Sequence, residues 1–131
     1  MGVADKVCIV VWSEFSRRIE QNDSGTDHGS QAPMFIVGGS VNGGVYGNHP
    51  NLDDLDDEGN TKYSQDNTND FRSTDFRDVY GTILKHWLCM SPSDITSYVL
   101  PYDVTGTAAD HWLFPNANFD MGFLPGGPCT V

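Results

Sequence analysis

Val7-Cys8-Ile9-Val10-Val11-Trp12 is an unbroken apolar run rich in β-branched side chains. Without alternation it predicts a strand buried on both faces, the habit of a parallel sheet. Ser13-Glu14-Phe15 follows at once, and residues 13–32 read as a long polar loop. Pro33-Met34-Phe35-Ile36-Val37 is a second short buried strand. Its opening proline sits where a missing N–H is tolerated, and Gly38-Gly39 ends it. Asn42-Gly43 suits a tight turn. From 74 to 88 the apolar residues Phe76, Val79, Tyr80, Ile83, Leu84, Trp87 and Leu88 recur at helical spacing. Ser73 or Thr74 caps this helix, and Pro92 closes it off. Ser97-Tyr98-Val99-Leu100 reads as a short strand. The expected fold class is α/β, with a small, mainly parallel sheet and a packed helix. A partial domain spans 1–92, with an acidic loop at 48–73 and the helix at 74–88. An irregular extension follows over 93–131.

The chain has 131 residues, enough for one domain with a real core. It carries 7 Lys and Arg against 18 Asp and Glu, a net charge of -11, and 15 of the acids are Asp. Such a field repels phosphate backbones, which excludes nucleic-acid binding, and disfavours anionic membranes. The run at 7–12 is far too short for a membrane span, and the opening residues lack a signal-peptide layout. Cys8, Cys89 and Cys129 are too few and too scattered for a disulfide framework. Cys8 and Cys89 read as small core residues, and Cys129 as a free thiol in a tail.

Three places can carry chemistry. Glu14 stands at the carboxyl end of the first strand, the edge where open α/β sheets bind ligands. A carboxylate there can hold a divalent metal or act as a base. The plainer account is a solvated acid paired with Arg17 or Arg18, and position alone favours it. Asp27-His28 offers a hard oxygen beside an imidazole nitrogen, both usable for zinc. The plainer account is an ordinary loop with an Asp-turn. Glu14 and His28 flank one loop between two strands, so a fold-back brings them over the same sheet edge. Asp54, Asp56 and Glu58, with Gly59 in sixth place, resemble the first half of a calcium loop. Gln65 occupies the place of its closing acid, so a solvated acidic loop is the preferred account. His49, His86 and His111 stand alone as structural or exposed residues.

The order of the pieces resembles a known group. Val10-Val-Trp-Ser-Glu-Phe15, Arg17-Arg18, Gly25-Thr-Asp-His-Gly29, Ala32 to Gly39, Val41 to Gly47, Leu52 to Asp57 and Thr74 to Leu88 follow one another. That series resembles the C-terminal part of bacterial sulfatase-like proteins of unknown function, a group similar to the alkaline phosphatase superfamily. The superfamily has a strand-end motif with a metal-binding Asp and His, and a further His before a hydrophobic strand and a Gly-rich turn. Either Ser13-Glu14-Phe15 matches the first motif and His28 the later His, or Asp27-His28-Gly29 is itself the strand-end motif. The first placement fits better, because the polar stretch before Asp27 delivers no strand. Phe15 then stands where the superfamily has a metal-binding His.

The resemblance implies a metal-dependent phosphate or sulfate ester hydrolase, with Glu14, Asp27 and His28 as ligands of a divalent ion, zinc or calcium. Arg17 would hold the anionic ester bidentately. The nucleophile of such enzymes comes from an N-terminal half that has no counterpart here. The expectation is therefore a metal-site half that is inactive alone, completed by a missing N-terminal half or by a homo-oligomer. An exported location, periplasmic or extracellular, follows from the same resemblance, its signal lying in the absent part. The alternative is a non-catalytic structural or self-assembling acidic protein that keeps the fold without the chemistry.

Overall fold

The computed structural model describes residues 3–29, 32–48, 74–100, 118–125 and 129. Its elements run β1 (Cys8–Val11), β2 (Ser16–Asn22), β3 (Gly25–Gly29), β4 (Phe35–Gly38), α1 (Phe76–His86) and the short α2 (Pro92–Asp94). A single helical turn at Ala4–Lys6 precedes β1, and a wide helical turn at Ile95–Val99 continues α2. The chain forms two compact units, one of Met1–Ile9, Val37–Gly47 and Thr74–Val131, the other of Val10–Ile36 and Asn48–Ser73.

The fold is mixed α/β, but the strands form two separate pairs, β1 with β4 and β2 with β3. The expected mainly parallel sheet is not there. β2 and β3 pair antiparallel. In the other pair the end of β4 lies beside the start of β1: the Gly39 N–H donates to the Ala4 carbonyl at 3.0 Å, and the Gly38 backbone abuts the Val7 carbonyl. These strands also run in opposite directions. A parallel pair would need a long crossover in the same sheet, whereas here the chain between β1 and β4 is spent on a hairpin of its own.

The expectation that β1 is buried on both faces also fails. Its side chains alternate, with Cys8 and Val10 half-buried and Ile9 and Val11 exposed. In a two-stranded ribbon each strand has one neighbouring strand, and with one face left uncovered an unalternating apolar sequence leaves half its side chains in water. β4 repeats the pattern, with Phe35 and Val37 exposed.

The stretch read as a loop at 13–32 contains the hairpin. Asn22 pairs with Gly25, so Asp23-Ser24 forms a two-residue turn. The Ser24 N–H donates to Asn22 Oδ1 at 2.9 Å, and Gly25 takes φ +117°, which a residue with a side chain rarely adopts. Between Arg17 and Gln21 four steps on β2 oppose two on β3, a bulge opposite Asp27.

α1 is shorter than expected, and its cap is Asp75, not Ser73 or Thr74. The Asp75 carboxylate accepts the Arg77 N–H at 2.8 Å and also pairs with the Arg77 guanidinium. α1 ends at His86, and Pro92 instead begins α2, where the Ser91 hydroxyl accepts the Asp94 N–H at 3.1 Å. The strand expected at 97–100 is helical over Ile95–Val99.

The first unit's core gathers on α1. Among the described residues its buried apolar side chains are Val79, Ile95, Phe119, Phe123 and Leu124. Ile95 and Phe119 pack with half-buried Leu84, Met90 and Leu100. The helix uses a polar stripe for much of this docking. The Asn118 N–H donates to Asp78 Oδ1 at 2.8 Å, and the Met121 N–H to the Thr82 hydroxyl at 3.4 Å. Thr82 in turn donates to the Asp78 carbonyl at 2.8 Å. Gly81 lets the Phe119 ring lie against the helix backbone, where any Cβ would overlap it. Tyr80, Ile83 and Leu84, from the expected apolar face, also line an open cavity of about 230 Å³ with Val99 and Leu100.

Cys89 and Cys129 form a disulfide, with Cα atoms 5.1 Å apart. Neither is the core residue or free thiol expected, because the C-terminal segment turns back to the end of α1. Cys8 alone is free.

Candidate functional site

The candidate site lies on the β2–β3 hairpin. Arg17 and His28 are directly opposite in the register, so their side chains leave the same face. The Arg17 guanidinium is fixed from below, with Nη1 donating to the Thr26 carbonyl at 2.8 Å. Phe15, just before β2, lies on the His28 ring, with centroids 3.6 Å apart and planes within 10°. The Arg17 guanidinium carbon sits 5.0 Å from the Phe15 ring centre. Together they form an Arg–Phe–His stack in which a cation meets an aromatic face.

Asp27 takes a different direction. Neighbours on a strand point to opposite faces, and Asp27 and His28 are neighbours on β3. Asp27 Oδ1 accepts the Asn22 side-chain amide at 2.8 Å, bracing the turn. Glu14 is exposed, and its Oε2 accepts the Ser13 hydroxyl at 3.3 Å. Among the described residues no three His, Cys, Asp or Glu side chains gather closely enough to hold a metal ion. The hairpin thus brings Arg17 and His28 together, and does not assemble Glu14, Asp27 and His28 into a three-ligand set. Asp54, Asp56 and Glu58 lie outside the described residues, as do His49 and His111.

The sequence reasoning that Asp27 lacks a strand to deliver it is overturned by β3. The clue was available in Asn22-Asp-Ser-Gly25, a cluster of turn formers. The partner of His86 had no such clue. His86 Nε2 lies 2.7 Å from Asp120 Oδ1, and Lys85 Nζ donates to both Asp120 oxygens at 2.7 and 2.6 Å. The Lys85 ammonium, and then His86, hold the Asp120 carboxyl below its ordinary value. Burial pushes the Cys8 thiol up.

Residues 1–84 match a family described as a protein of unknown function (DUF1501). The chain belongs to the DUF1501 family. No curated protein and no solved structure matches it. The DUF1501 match takes in the four described strands and most of α1, and ends before Cys89. No described helix is long and apolar enough to cross a membrane.

Proposed function

We propose that this DUF1501 chain is, by itself, a non-catalytic protein that keeps part of a sulfatase-like α/β scaffold without ester-cleaving chemistry. The Phe15–His28 stack carries this reading. A phenyl ring covers one face of the imidazole, at the position where the resemblance calls for a second metal-binding His. A phenyl ring donates nothing to a metal ion, and Asp27 spends an oxygen on the hairpin turn. The proposal includes assembly with further copies or a partner chain. Its support is the apolar side chains that β1 and β4 leave exposed, Ile9, Val11, Phe35 and Val37. It also includes an oxidising compartment outside the cytosol, supported by the disulfide.

One observation favours a second reading, the metal-site half of a phosphate or sulfate ester hydrolase. Arg17 and His28 share one exposed face, where a guanidinium and an imidazole suit an anionic ester. In that reading Glu14 and His28 hold a zinc or calcium ion only when another chain supplies the remaining ligands and the nucleophile.

Hydrolysis of p-nitrophenyl phosphate and p-nitrophenyl sulfate, with zinc or calcium added, tests the proposal. The full chain should give no release above buffer. Turnover abolished by a chelator and by His28→Ala would overturn it.

A further inference from the structure

We propose that the Cys89–Cys129 disulfide is a redox latch that holds residues 118–125 on α1 under oxidising conditions and frees them when a thiol reductant opens it. The held segment is a large part of the core. Phe119, Phe123 and Leu124 come from it, with only Val79 and Ile95 as other buried apolar side chains among the described residues. Beside that packing, its polar ties among the described residues include the Asn118 and Met121 N–H groups on Asp78 and Thr82, the Asp120 carboxylate on Lys85 and His86, the Asn42 N–H on the Phe123 carbonyl at 2.8 Å, and the Asn42 amide and Tyr46 hydroxyl on the Gly122 carbonyl, each at 3.5 Å. Asp120 is 62% exposed, so its pairs are weak fastenings.

Cys89 takes φ +59°, the left-handed region that residues with a Cβ avoid. It ends the turn after α1, where glycine is the usual occupant. Cys89 is exposed and Cys129 half-buried, so a reductant reaches the sulfur. In the step, a thiolate of a small dithiol attacks Cys89 Sγ and the S–S bond breaks. Cys129 leaves as a thiolate and takes up a proton. The second thiolate of the dithiol then displaces Cys89, which takes up the other proton. The protein gains two thiols, and the reductant departs as a cyclic disulfide. Release uncovers the notch at Gly81, a ring-sized gap beside the Thr82 hydroxyl and the Asp78 carboxylate.

Amide hydrogen exchange on the full chain, in a Cys8→Ser background that prevents shuffling, tests the latch. Dithiothreitol should speed exchange of the Met121 and Asn118 amides at least tenfold. The intrahelical amides of α1 and those of β2 and β3 should change less than threefold, and air oxidation should restore the slow rates. A Cys89→Ser/Cys129→Ser variant should match the reduced chain without reductant. Unchanged exchange at 118–125 would show that packing alone holds the segment. An equal loss across α1 would show a global staple. Either result overturns the latch.

Discussion

Phe15 lies face to face with His28, ring centres 3.6 Å apart and planes 10° from parallel. The imidazole is held by an aromatic neighbour on an exposed hairpin, with the Arg17 guanidinium beside the same phenyl ring. Stacks of this kind contribute about 0.5–1.5 kcal/mol beyond the area they bury. Phe15→Ala removes the half-buried ring as well and should therefore lower stability by at least that amount. It should also abolish the ring-current shift of the His28 ring protons in NMR spectra. His28 protons at random-coil positions in the unaltered chain would show that the rings do not meet.

Gly81→Ala places a methyl group against the Phe119 ring. Alanine favours a helix interior over glycine by about 1 kcal/mol, but overpacking a fitted contact costs about 1–3 kcal/mol. A net loss in urea unfolding is expected. A gain in stability would mean that the ring does not occupy the notch.

The disulfide closes a loop with a sequence separation of 40. Chain-entropy reasoning assigns such a loop about 4 kcal/mol of stability. A bond that acts as a local latch gives the whole fold less than this, so Cys89→Ser/Cys129→Ser should lower the global unfolding free energy by well under that amount. Unreduced, denatured protein should titrate one thiol, that of Cys8. Three titrated thiols would dispose of the bond. In the native chain Cys8 should alkylate slowly, because burial raises its pKa and keeps it protonated.

The hydrogen bonds from Lys85 and His86 lower the Asp120 pKa below its ordinary 3.8. A carboxyl depressed on folding stabilises the fold above the unfolded value, and the gain is lost as pH falls through the folded one. Asp120→Asn should thus be less stable than the parent near pH 5. The difference should shrink as the pH drops below 3.8. It should be small, because Asp120 is mostly exposed. A difference that grows with acid would contradict the pairing.

The helix was legible in the sequence because its apolar residues keep a helical period from Phe76 to Trp87. The second strand was legible from its bounding proline and glycines. The hairpin was not, since Ser16–Asn22 and Gly25–Gly29 carry little apolar alternation and are organised by their turn. The burial of β1 was misread because periodicity reports what a segment is able to bury, whereas exposure depends on how many neighbours arrive. The candidate site was legible as residue types: Arg17, Asp27 and His28 were singled out. Their directions were not, because the face of Asp27 follows from a strand that the sequence concealed. Cys89 and Cys129 could not be paired on sequence grounds, since nothing local announces that a tail returns to a helix end.

The most direct test of the proposal that the Phe15–His28 face holds no metal is a zinc titration of the full chain. It is followed by the His28 imidazole nitrogen shifts and by metal content after desalting. The account predicts no saturable shift at micromolar zinc, and equal metal content in the parent and in Glu14→Ala/His28→Ala. One equivalent of zinc held by the parent and lost from the double variant would contradict it.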